Sequence, residues 1–299
     1  MPVHLLLPLF SSIVFVLAMM LVKLATMQGA SPWTGTVFAN LWLALLWGVP
    51  AILNWQIAPT AAWGQAAVIG GLFVLGQIFT YLAFQYGDVS VATPVFGVKV
   101  LIVALCGLLM AGEAIPYRIW IAACLAAGGV AFVQFTGRRT GLGDKTSADR
   151  RGLTIGMVLL SGIALSLFDI LLQMWGTRWN SREFLPVVFA ATAGFSLLLI
   201  PWVDRPTVLY RKGILGWMLI GTFMMAVQAM SMSYALGTWG DATRVNIVYS
   251  LRGLWGVSLS WILARWFGAN EAFLAPTTML MRLIGAVLLT AAVITAIGR

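Results

Sequence analysis

About ten apolar runs follow one another along the chain, and most charged side chains fall in the breaks between them. About 20 apolar residues in helical form cross the hydrocarbon core of a bilayer. A helix satisfies its backbone polar groups within one segment, so it can sit where no water is present. Breaking the chain at Pro, Gly and charge clusters places the runs at 5–28, 33–53, 62–86, 90–111, 117–136, 153–175, 184–203, 213–238, 243–266 and 277–297. The composition is 61% hydrophobic and 9% charged, against roughly 25% charged in a soluble domain. Too little polar surface remains to cover a soluble core. The expectation is an all-α membrane protein of about ten transmembrane helices. The first run continues from Leu5 to about Leu24 with no Lys/Arg-rich lead. That is too long for a secretory h-region, so a spanning helix is expected there.

The formal charge is +9, from 18 Lys+Arg against 9 Asp+Glu. Such a balance suits nucleic acid, anionic lipid or an anionic solute. No basic stripe for nucleic acid is present, because the Lys and Arg residues sit mostly in short breaks. His4 is the single histidine, and Cys106 and Cys124 lie inside apolar runs. No disulfide framework, metal-ligand spacing or His-based triad can be drawn from these residues. No cofactor or metal is expected.

One long break, 137–152, reads GRRTGLGDKTSADRRG and divides the chain into 1–136 and 153–299. The halves resemble each other. The third run ends YLAFQYGD at Asp88 and the eighth ends YALGTWGD at Asp241, a shift of 241 − 88 = 153 residues. Carried forward, the shift pairs Phe96 with Tyr249 and Lys99 with Arg252. The first and sixth runs, PLFSSIVFVLAMMLVK and VLLSGIALSLFDILLQ, align at a shift near 150. Five helices per half is an odd number, so the second copy must enter the membrane from the other side. Inverted repeats of this kind place a solute site near the midplane, between the halves.

These features resemble the drug/metabolite transporter superfamily, including its EamA-like members. GDVSVATPVFGVKVLIVALCGLLMAGEAI, Gly87 to Ile115, is similar to the family signature of a Pro-bearing fourth helix ending in Gly-Glu, here Gly112-Glu113. AACLAAGGVAFV, Ala122 to Val133, is similar to its Gly-rich fifth helix. The second half keeps the frame with GDATRVNIVYSLRG, Ala269-Asn270-Glu271 and RLIGAVLLTAAV. It departs with Ile247 opposite Pro94, and with about five extra residues before Glu271 (271 − 113 = 158). The resemblance implies a multi-pass transporter, not an enzyme, in the plasma (inner) membrane of a bacterium. It says little about substrate.

Charges deep in a spanning helix cost about 2.5–3.5 kcal/mol on insertion scales and so normally have a task or a partner. Lys99, Arg252 and Asp169 qualify. Two cations at equivalent positions near the midplane would attract an anion: Arg grips a carboxylate or phosphate bidentately, and Lys adds a point charge. The arrangement resembles the organic-phosphate and nucleotide-sugar branches of the superfamily. The alternative is a structural ion pair of one or both cations with Asp169, or snorkelling to an interface. Asp169 itself reads as a counter-ion to Arg252 or Lys99, or as a proton carrier. Lys23, near the end of the first run, reads as a snorkelling residue.

Asn246, Tyr249 and Arg252 recur at three-residue spacing, hence on one helix face, and Trp255 extends the stripe. Such a face suits a cavity better than lipid. Tyr81 and Tyr234 are repeat equivalents; Asn40, Gln77, Gln85 and Gln228 are further orienting candidates. Helix–helix hydrogen bonding accounts equally for any one of them. Glu113 and Glu271 read as turn contacts at equivalent helix ends, and Met218, Met224, Met225, Met230 and Met232 as adaptable packing. Trp33, Trp55, Trp63 and Trp120 fit interfacial belts.

The basic residues Arg138, Arg139, Lys145, Arg150, Arg151, Arg205, Arg211 and Lys212 favour a cytoplasmic location for their loops. With ten spans that puts both termini outside, against family habit, and the orientation stays open. The leading functional reading is a secondary transporter moving a small organic anion, phosphorylated or carboxylated, by alternating access through a midplane cavity. The alternatives are an exporter of amino acids or amphipathic metabolites and a flippase for a lipid or lipid-linked anion. A membrane-embedded lipid enzyme fits poorly, because no histidine and few acids lie in the apolar runs. The expected partners are the anionic solute and the bilayer, with homodimerisation left open.

Overall fold

The computed structural model describes residues 3–54, 57–86, 96–112, 114–133, 146–256, 258–259 and 276–298, with no strand among them. The helices are α1 (Leu6–Met27), α2 (Pro32–Asn54), α3 (Trp63–Tyr86), α4 (Lys99–Met110), α5 (Tyr117–Val133), α6 (Thr146–Trp179), α7 (Ser181–Ser196), α8 (Pro206–Arg211), α9 (Leu215–Trp239), α10 (Ala242–Tyr249) and α11 (Pro276–Ile297). Seven helices among the described residues are long and apolar enough to cross a membrane, and α4 and α5 are shorter apolar helices. Large apolar side chains stand on the outside, with Leu53 at 74% and Leu198 at 72% exposure. That surface needs lipid around it, and the chain is a multi-pass membrane protein.

Asp88, Pro94, Glu113, Glu271, Trp55, Arg138, Arg139 and Lys145 lie outside the described residues, as does the side chain of Gln85. Elsewhere the expected runs overlap helices, but in the fourth run the α-helix begins only at Lys99, after a 3-10 turn over Phe96–Val98, and three further differences appear. Helix α6 begins at Thr146 rather than 153, inside the polar break, because 146–151 holds no Gly or Pro to stop it. The loop after α7 contains the short α8, which Pro206 starts at its first position. The ninth run is not one regular helix: α10 ends at Tyr249, Ser250 and Leu251 form a turn, and 252–256 is helical again.

The chain reverses at α6–α7 through Asn180, whose backbone is left-handed at φ 65. Asn tolerates that conformation, and its side chain accepts a bond from the Arg182 N–H at 3.3 Å. Gly240, at φ 66, ends α9 in the same way and frees α10 to start two residues later.

In lipid, helices are drawn together by close packing and hydrogen bonds rather than by expulsion of water. Helix α1 packs along α9, α3 along α6, α2 along α7, α5 along α11, and α4 against α10. Ser11 Oγ donates to the Gln228 carbonyl at 3.0 Å, tying α1 to α9. Ser161 Oγ donates to the Gly76 carbonyl at 2.9 Å, tying α6 to α3. At the α5–α11 crossing Gly129 and Gly285 bring backbone against backbone: a Cβ on Gly285 would stand 2.7 Å from the Gly129 carbonyl oxygen and collide with the Val133 nitrogen. The central core gathers Leu43, Ile69, Leu172, Phe184, Phe189 and Leu236 from five helices.

Two rims bound the bundle. On one, His4 meets Asp241 at 3.4 Å, Arg244 meets the same carboxylate at 3.4 Å, and the Ala58 N–H donates to the Glu183 carbonyl at 3.1 Å. On the other, Asp204 Oδ2 accepts from the Ser31 N–H and the Thr34 hydroxyl, and Lys212 donates to the Gly29 carbonyl at 3.0 Å. Lys23 is exposed near that second rim, as a snorkelling residue would be.

Candidate functional site

Lys99 is the first residue of α4, directly after a tight turn over Phe96–Val98. Its Nζ lies 2.7 Å from Asp169 Oδ2 and donates to Asn246 Oδ1 at 3.1 Å. Asn246 uses its amide nitrogen to donate to Asp169 Oδ2 and to the Ala242 carbonyl, both at 2.9 Å. Three side chains from α4, α6 and α10 thus form a closed triangle of one cation, one anion and one amide. The Asp169 and Lys99 side chains are 3% and 13% exposed. At this depth neither charge could stand alone. One helical turn along α6, Gln173 Oε1 accepts the Ala242 N–H at 2.7 Å, satisfying a donor at the start of α10.

Arg252 follows the Ser250–Leu251 turn. Its guanidinium carbon lies 4.6 Å from the Tyr249 ring centre and 5.0 Å from that of Phe15. The two rings are edge-to-face, with centres 6.0 Å apart. Tyr249 is buried and its hydroxyl donates to Gln228 Oε1 at 3.1 Å. No carboxylate lies within 4.0 Å of Arg252 among the described residues. Trp255 donates from Nε1 to Ser12 Oγ at 3.0 Å, one turn further on.

A cavity of about 30 Å³ separates α4 and α5 from α10 and the following turn, lined by Gly97, Lys99, Val130, Asn246, Tyr249 and Arg252 among others. Of the residues picked from the sequence, Lys99, Asn246, Tyr249 and Arg252 line this hollow, and Asp169 bonds to two of them, Lys99 and Asn246. Gln228 and Trp255 support it from behind. Lys99 and Arg252 have different surroundings: Lys99 pairs with Asp169, and Arg252 lies between aromatic rings.

The other candidates sit elsewhere. Asn40 and Gln77 exchange two amide bonds, at 2.9 and 3.1 Å, and join α2 to α3. Tyr81 packs on Trp33 with ring centres 3.9 Å apart, near the second rim. Tyr234 packs against Trp47 and Trp239 towards the first rim. Phe15, Ser12 and Gln173 escaped sequence reasoning. Gln173 carries a signal, a polar side chain four residues after Asp169 in an apolar run; Phe15 carries none. Among the described residues no three His, Cys, Asp or Glu side chains converge as metal ligands would.

The fold is shared with solved structures. One, described as "Crystal structure of protein", superposes with a TM-score of 0.65 over 97% of this chain and 96% of its own, at 17% identity. No family model and no curated protein matches the sequence.

Proposed function

We propose that the chain is a secondary transporter for a small organic anion, with the hollow between α4 and α10 as its solute site. The observation that carries this reading is Arg252. A guanidinium lines a cavity within the bundle and has no carboxylate partner among the described residues. A permanent cation kept in such a place is expensive, and an arriving anion repays the cost.

Several features support an alternating-access mechanism of the drug/metabolite transporter kind, in a bacterial plasma membrane. The contacts α1–α9 and α3–α6 exchange under the 150–153-residue shift, and so do the bonds Ser11 to Gln228 and Ser161 to Gly76. Those exchanges are what two inverted five-helix repeats in a ten-span chain require. Both chain segments bearing a cavity cation are irregular there: a tight turn precedes Lys99, and a break precedes Arg252. Interrupted helices at the midplane are a recurring design of solute sites in repeat-built transporters.

The test is uptake of labelled organic anions into liposomes containing the purified protein. Arg252→Ala is expected to abolish uptake while the protein still elutes as a folded species. Undiminished uptake by that variant removes the reading.

A further inference from the structure

The charge on the cavity can be counted. Lys99 contributes +1, Asp169 at 2.7 Å contributes −1, and Arg252 contributes +1. The described ionisable groups at the hollow therefore sum to +1 − 1 + 1 = +1. The positive charge is also localised. Asp169 and Asn246 occupy Lys99, whereas the aromatic rings beside Arg252 stabilise the cation without neutralising it. The Tyr249 hydroxyl lies within reach of the guanidinium, but five N–H donors exceed what one hydroxyl can use.

From this count we infer that the substrate is a monocarboxylate with an apolar or aromatic body, gripped by Arg252 alone, and that Lys99–Asp169 is a charge-neutral strut rather than half of a phosphate clamp. A carboxylate matches the planar fork of Arg and brings one negative charge. A dianionic phosphate would leave its second charge uncompensated where water is scarce. The surroundings suit an apolar body: Gly97, Val100, Val130 and Gly253 wall the hollow, and Phe15 and Tyr249 flank the cation. The hollow is about 30 Å³, room for a few waters and not for a whole solute. The solute is therefore admitted only when α4 and α10 part.

This inference rests on the anion-site reading of Arg252, and its test separates the two. Calorimetric titration of the full chain in lipid nanodiscs at pH 8 compares phenylacetate, its neutral isostere phenylacetamide, and phenyl phosphate. Phenylacetate is expected to bind, phenyl phosphate about tenfold or more weakly, and the amide undetectably. Asp169→Asn frees the Lys99 charge and is expected to reverse the order in favour of phenyl phosphate. If that variant does not fold, the wild-type order decides alone. Phenyl phosphate binding as tightly as phenylacetate overturns the charge count while leaving an anion site standing. Binding of none of the three also overturns the monocarboxylate assignment. The amide binding as well as the acid, with Arg252→Gln unchanged, removes the anion site itself.

Discussion

The Lys99–Asp169 pair makes the sharpest energetic prediction. Removing one partner of a buried ion pair costs about 3–5 kcal/mol, whereas replacing both by apolar residues of similar volume is often neutral. Asp169→Leu leaves the Lys99 ammonium with one neutral acceptor, Asn246 Oδ1 at 3.1 Å. Lys99 is the more exposed partner, 13% against 3%, so the lower end, about 3 kcal/mol, applies. Lys99→Met leaves a carboxylate 3% exposed with one side-chain donor among the described residues, Asn246 Nδ2 at 2.9 Å. There the upper end, about 5 kcal/mol, applies. The double variant is expected within about 1 kcal/mol of wild type, a coupling of several kcal/mol between the two sites. Reversible unfolding of all four proteins in bicelles or mixed micelles measures the cycle. Additive losses, or a double variant as unstable as the worse single one, would refute a strut that holds α4, α6 and α10 together.

Other expectations follow from the same geometry. Asn246→Ala removes the amide that bridges both charges and is expected to lower stability by about 2 kcal/mol in the same unfolding assay. Gly285→Ala drives a Cβ against the Gly129 carbonyl and the Val133 nitrogen, costing about 1–3 kcal/mol by overpacking. Gly128→Ala, whose new Cβ meets only Leu288 at 4.0 Å, is expected to be neutral or stabilising by up to about 1 kcal/mol, and thermal melts compare the two. Asp204→Ala strips the acceptor from Ser31 and Thr34. Faster amide exchange at Ser31, with the α5–α11 amides unchanged, is the expected result.

The seven long helices could be read from the sequence because a bilayer sets a minimum length for a crossing, and the apolar runs show it directly. Lys99, Asp169 and Arg252 stood out because charges are rare in such runs. Which cation Asp169 would choose could not be read. Partner choice depends on how α4, α6 and α10 rotate against one another, and periodicity within one helix carries no such information. The break at Ser250–Leu251 was hidden for a related reason. No Pro marks it, and the apolar run resumes at Leu254 and Trp255 beyond it. Phe15 is one phenylalanine among 16, singled out only by where α1 lies. Asn40, Gln77, Tyr81 and Tyr234 looked like site residues because they are polar in an apolar setting, and that property serves interhelical fastening equally well.

The backbone-to-backbone meeting of Gly129 and Gly285 has a mechanical consequence. A contact without side chains has no alternative rotamers in which to settle, so it offers α5 and α11 a single seating. In any motion of the bundle α5 and α11 would then move together as one body. Under the proposed alternating-access reading, spin labels flanking the crossing are expected to hold a constant separation when substrate is added, while labels on α4 and α10 change theirs.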